Sequence, residues 1–90
     1  MVRRVSVIVT GKVQGVCYRY FAKKEANRLD IKGWCQNREN DKVYLVAEGK
    51  EKDVDKFIEW AKNGSTFAKV INTKISEEKF EGLEDRFEVR

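Results

Sequence analysis

The 90-residue sequence predicts an α+β fold: an antiparallel sheet with two helices packed on one face. Three observations carry this expectation. Val5, Val7 and Val9 alternate with Ser6, Ile8 and Thr10, the period of a strand with one strongly apolar face. Val54, Phe57, Ile58 and Ala61 recur at i, i+3, i+4 and i+7, the stripe of an amphipathic helix. Two strand-like runs, Ile31 to Arg38 and Val43 to Glu48, flank the turn-rich tetrad Glu39-Asn40-Asp41-Lys42 and read as a hairpin.

The remaining elements follow in order. Phe21, Ala22, Ala26 and Leu29 make a helical stripe in a helix expected from about Tyr20 to Leu29. Asn63-Gly64 closes the second helix, since Gly is favoured just past a helix end. Ala68 to Ser76 is expected as a strand with Ile71, Thr73 and Ile75 on one face, and Arg86 to Arg90 as a short last strand. Helices on one face of the sheet bury both apolar stripes together. This is the ferredoxin-like βαββαβ sandwich. No repeat, low-complexity tract or linker interrupts it, so residues 1–90 are expected to form one domain. Trp34, Trp60 and Cys35 are assigned to packing.

The charge is mixed along the chain, 19 Lys and Arg against 15 Asp and Glu, for a net +4. That balance suits an anionic ligand and is too weak to demand nucleic acid. Cys17 and Cys35 fit neither a disulfide scaffold nor a zinc site, and there is no histidine. The acidic residues of the second helix and of the last fifteen residues form no carboxylate dyad set for acid–base work. No metal and no cofactor is expected. No apolar run approaches a membrane span, and Met1-Val2-Arg3-Arg4-Val5 reads as strand, which leaves a cytoplasmic address as the expectation.

Gly11-Lys12-Val13-Gln14-Gly15-Val16-Cys17-Tyr18-Arg19 joins the first strand to the first helix. Two glycines in five residues suit a tight loop with uncovered N–H groups. The helix then opens with the wrong charge for its dipole: Arg19, Lys23 and Lys24 sit near its start, and no Asp or Glu occurs from Gly11 to Lys24. Taken alone, the stretch is either a crossover turn or an anion-binding loop, and the misplaced Arg favours the second reading, because Arg suits bidentate phosphate recognition. Neither Gly-x-x-x-x-Gly-Lys-Ser/Thr nor Gly-x-Gly-x-x-Gly is present. The sixth residue past Cys17 is Lys23 and past Cys35 is Asp41, so the Cys-x5-Arg spacing of a cysteine-dependent phosphatase is missing. Cys17 lies near Arg19 and a helix start, surroundings that favour a reactive thiol; a small space-filling role is the preferred reading.

Gly11, Val13, Gln14, Gly15, Val16, Tyr18 and Arg19, with Gly33, Trp34 and Asn37 on the next strand, resemble the acylphosphatase pattern. Cys35 stands where the family usually has Val. Asp41-Lys42 replaces a common Asp-Gly turn, and Gly64-Ser65 a frequent Gly-Pro. The resemblance runs through nearly the whole chain, to Ala47-Glu48-Gly49 and Phe87-Glu88-Val89. It implies hydrolysis of small acyl phosphates to a carboxylate and inorganic phosphate, without a cofactor. The backbone of Gly15, Val16, Cys17, Tyr18 and Arg19 and the Arg19 guanidinium would hold the phosphoryl group. Asn37, by itself an ordinary strand-end residue, would position the attacking water; Gln14 would stabilise the loop. A small-molecule substrate, no nucleic acid, no membrane and a monomer are the expected partners and state.

Two other classes fit the same order of elements. One is a non-catalytic module that binds acyl or carbamoyl phosphate or another anion. The other is a single-stranded RNA-binding domain, which needs bare aromatics on the two central strands. Val43 to Glu48 offers only Tyr44 and an acid.

Overall fold

The computed structural model describes residues 1–15, 17–64 and 68–90. Its elements run β1 (Val2–Lys12), α1 (Tyr18–Arg28), β2 (Lys32–Arg38), β3 (Lys42–Lys50), α2 (Glu51–Asn63), β4 (Lys69–Glu78) and β5 (Phe87–Val89). The sheet order is β4-β1-β3-β2-β5. The four strands of the βαββαβ core pair antiparallel, as expected. β5 adds to the edge parallel to β2, so the whole sheet is mixed rather than purely antiparallel. The reason is the path of residues 79–86, which leave β4 at one edge and cross to the other before β5 begins.

Alternation in β1 sends Val5, Val7 and Val9 into the core, where all three are fully buried. Val43, Leu45 and Ala47 of β3 and Cys35 of β2 join them under the helices. α2 obeys the usual charge rules: Glu51 and Asp53 in its first turn, Lys62 in its last, and Gly64 as C-cap. Its stripe of Val54, Phe57, Ile58 and Ala61 is buried as the spacing requires. α1 breaks those rules. It begins two residues earlier than expected, at Tyr18, with no acid in its first turn and no side-chain cap.

Two details depart from the sequence reading. Ile71 does not share the inward face of β4 but is 74% exposed. The β1–β4 register shifts between Thr10 and Gly11, and this irregularity places Val70 against the core instead. Trp34 packs, but on the sheet face opposite the helices. Its ring lies 5.4 Å from that of Tyr44, with the Arg90 guanidinium 4.6 Å above Trp34 and that of Arg38 4.5 Å above Tyr44. Each aromatic face is thus already occupied, unlike the bare stacking platform of an RNA-binding sheet. Ser65 lies outside the described residues.

The crossing segment is fastened to the sheet by buried charge. Arg4 and Glu48 face each other across β1 and β3, both nearly buried, with Nη1 to Oε1 at 3.3 Å. Glu48 also accepts the N–H groups of Glu81 (2.8 Å) and Gly82 (3.1 Å), and Arg4 donates to Glu84 at 2.8 Å. Burial works to raise the Glu48 carboxyl, but these donors outweigh it and hold the group below its ordinary value. A depressed carboxylate contributes stability above its unfolded value, which is lost as pH falls through the folded one. Glu48→Ala is therefore expected to destabilise the protein by on the order of 3 kcal/mol at pH 7, because it leaves Arg4 partly unpaired in a buried site. In urea titrations the gap between wild type and variant should narrow as pH drops below the ordinary carboxylate range.

Candidate active site

The loop after β1, the start of α1, the end of β2 and the end of β5 meet around a cavity of about 560 Å3. β1 and β2 both run antiparallel to β3, and β5 runs parallel to β2, so the crossover through α1 brings the ends of all three strands to the same end of the sheet. Gly15, Cys17, Tyr18, Arg19 and Asn37 all line this cavity, so the sequence-predicted residues that the structure describes converge on it. Val16 lies outside the described residues.

The two loop glycines have separate jobs. Gly11 belongs to β1, at the register shift; a Cβ there would stand 2.1 Å from the Lys69 carbonyl oxygen, so strand pairing requires glycine. Gly15 makes the turn itself, with φ +72° and nothing within 4 Å of where a Cβ would point. Cys17, at the N-cap of α1, also holds a left-handed conformation with φ 61°, a strain of about 1–2 kcal/mol in a non-glycine residue. Phe21 closes the first turn by donating to the Cys17 carbonyl, and the N–H groups ahead of it have no partner within the helix.

Three anchors hold this loop in place. Gln14 Nε2 donates to the carbonyls of Arg38 (2.7 Å) and Lys42 (2.9 Å), tying the loop to the β2–β3 hairpin turn. Tyr18 buries its side chain in the core, 1% exposed, where its hydroxyl donates to the Ala61 carbonyl at 2.9 Å. Burial pushes the Tyr18 phenol well above its ordinary value, so it stays a neutral donor. Arg19 is half-buried, and its Nη1 donates to the main-chain oxygen of Arg90 at 2.8 Å. This leaves the rest of the guanidinium fork available to an anion.

Asn37 completes the site from β2. Its Oδ1 is buried with no hydrogen-bond partner among the described residues. A buried acceptor left unsatisfied costs about 1–3 kcal/mol, so a water or ligand donor is the natural complement. Beneath the site Cys35 is buried; desolvation pushes its thiol up to about 11 despite the opposing charges of Arg19 and Lys23. Among the described residues no three His, Cys, Asp or Glu side chains gather as metal ligands.

Sequence reasoning missed the contribution of β5. Val89 lines the cavity and Arg90 orients Arg19, across 71 residues of sequence, with no local signal in the chain to announce it. It also left Tyr20 and Lys23 without a role, although both line the cavity.

A small α+β sandwich with a glycine-turned loop, one anchored Arg and one unsatisfied Asn around a single cavity defines the class. The acylphosphatase family model matches residues 5–89. The chain is 44% identical to the acylphosphatase of Bacillus subtilis over 71 residues, 79% of this chain and 78% of that protein. It is 38% identical to the acylphosphatase of Syntrophus aciditrophicus over 89 residues, 99% of this chain and 93% of the other. The crystal structure of the Bacillus subtilis acylphosphatase superposes with a TM-score of 0.92, covering 100% of this chain and 99% of that one. The chain belongs to the acylphosphatase family.

The two thiols are expected to differ sharply. Iodoacetamide on the native protein at pH 8 should label the exposed Cys17 and leave Cys35 unmodified until the protein is denatured, as read by mass spectrometry of the intact protein. Cys17→Ser should retain hydrolytic activity, since the thiol has no place among the anchoring contacts.

Proposed function

We infer that this protein is an acylphosphatase, hydrolysing small acyl phosphates to a carboxylate and inorganic phosphate. The observation that carries the mechanism is the buried, unpartnered Oδ1 of Asn37 lining the same cavity as Arg19 and the loop. Loop N–H groups and the Arg19 guanidinium receive the phosphoryl oxygens at the start of α1, where the helix dipole favours negative charge. Asn37 Oδ1 accepts a hydrogen bond from the attacking water and so sets its approach in line with the leaving carboxylate. Positioning and electrostatic stabilisation suffice for phosphoryl transfer to water from so good a leaving group. The leaving carboxylate has low proton affinity, so no general acid is required of the protein.

Supporting this reading, Arg19 is preorganised by Arg90 and the loop by Gln14, which reduces the reorganisation needed when substrate arrives. The enzyme is proposed to act in the cytoplasm as a monomer on a free small molecule, with no nucleic acid or membrane partner. A non-catalytic anion-binding role would use the same loop and Arg19 but gives Asn37 no task.

Arg19 and Asn37 should fail differently. Arg19→Ala is expected to weaken phosphate binding and lower kcat, and to abolish the rise in melting temperature that millimolar phosphate gives the wild type. Asn37→Ala should lower kcat by about 10²–10³ while leaving phosphate affinity near that of the wild type. Steady-state kinetics with acetyl phosphate and thermal melts with phosphate separate the two. An Asn37→Ala protein with near-normal kcat would remove the water-positioning role.

Activity on acetyl phosphate should also survive excess chelator, with little hydrolysis of alkyl phosphates, whose alkoxide leaving group needs an acid or a metal. Parallel phosphate-release assays check both.

A further inference from the structure

We propose that Trp34 and Tyr44, on the sheet face opposite the helices, are positioning residues for the phosphate site: each ring seats an arginine whose main-chain oxygen holds one part of that site. The proposal rests on the acylphosphatase reading above. The Arg90 guanidinium lies 4.6 Å from the centre of the Trp34 ring, and the Arg90 main-chain oxygen accepts from Arg19 Nη1 at 2.8 Å. The Arg38 guanidinium lies 4.5 Å from the centre of the Tyr44 ring, and the Arg38 main-chain oxygen accepts from Gln14 Nε2 at 2.7 Å. One ring stands behind the cation that receives phosphate, the other behind the loop. The rings form a tilted pair with centres 5.4 Å apart.

The two arginines sit where the sheet alone holds the backbone least. Arg38 is the last residue of β2, and Arg90 follows the last residue of β5. Ladder hydrogen bonds run out at such ends, and the backbone frays there first. Arg90 keeps one main-chain bond to β2, from its N–H to the Cys35 carbonyl at 2.8 Å. A guanidinium stacked on a ring restricts the residue further. Each arginine has a polar partner on the same face as well. Arg90 Nε is 3.5 Å from Glu88 Oε1, and Arg38 Nε donates to Gln36 Oε1 at 2.7 Å.

Neither ring and neither arginine lines the cavity, so these residues act on substrate only through Arg19 and Gln14. Both rings are half-buried and stand apart from the core cluster under the helices. Among the described residues these are the two arginines stacked on aromatic rings, and the main-chain oxygens of both anchor the site. A small displacement of either oxygen shifts the groups that receive the phosphoryl oxygens, and phosphoryl transfer depends on their placement.

The test reads the dissociation constant of inorganic phosphate and kcat/KM for acetyl phosphate, at a temperature where every variant is folded. Trp34→Leu should weaken phosphate binding about two- to fivefold, the scale of one partly exposed cation–π contact. Trp34→Tyr, which keeps a ring, should recover most of that loss. Tyr44→Leu and Tyr44→Phe should behave as a second such pair, acting through Gln14 and the loop. Trp34→Leu combined with Arg90→Leu should bind phosphate no more weakly than the worse single variant, because ring and guanidinium act as one unit. Ile8→Ala truncates the residue opposite Tyr44 on β1; it should lower the melting temperature and leave phosphate affinity unchanged. The proposal is overturned if either leucine variant of a ring binds phosphate as the wild type does, if the Trp34 and Arg90 effects add, or if Ile8→Ala weakens binding equally. It is also overturned if only arginine variants weaken binding, since their charge would then act on the anion through space. If the wild type neither binds phosphate nor hydrolyses acetyl phosphate, the acylphosphatase reading fails instead.

Discussion

Tyr18 is the contact on which the arrangement depends. It is the first residue of α1, fully buried, with its hydroxyl on the Ala61 carbonyl of α2 and its ring 5.1 Å from that of Trp60. An uncapped helix start with Arg19 in its first turn and no acid is electrostatically unfavourable by itself. Packing of an aromatic ring into the core offsets that cost, since burying a large side chain contributes about 1.5–3 kcal/mol. The helix is held by its inward side chain, which leaves Arg19 on the cavity side.

The same separation of duties recurs across the molecule. The buried Arg4–Glu48 cluster fastens the crossing segment to the far end of the sheet. That segment delivers β5 to the free edge of β2, and Arg90, the residue after β5, presents the oxygen that orients Arg19. Charge buried at one end of the sheet thus supports charge displayed at the other. The first cluster satisfies its polar groups internally. The second leaves Asn37 Oδ1 without a hydrogen-bond partner among the described residues, the opening that the proposed function fills.

Contrast between the two helices makes the point locally. α2 carries acids at its start, a lysine near its end and a Gly cap, and it lines no part of the cavity. α1 inverts the first of these rules and lines the cavity. Violations of local consistency concentrate where function is, because a group that is satisfied within the fold has nothing left for a ligand.

Periodicity and charge order were legible in the chain by itself. The valines of β1 and the stripe of α2 each report a local repeat that burial must respect, whatever the tertiary arrangement. The Gly15 to Arg19 loop and Asn37 were legible as a motif, and the acid-free helix start gave the loop a physical reason. Tertiary structure decided what no local repeat encodes. The register shift opposite Gly11 turned Ile71 outward and Val70 inward. Glu81 and Glu84, featureless in sequence, became partners of Arg4. Arg90 reached Arg19 only because a crossing segment carried β5 beside β2. The Arg19–Arg90 and Arg4–Glu84 contacts join residues 71 and 80 positions apart, and their geometry follows from how whole strands are ordered, which side-chain type and spacing do not specify.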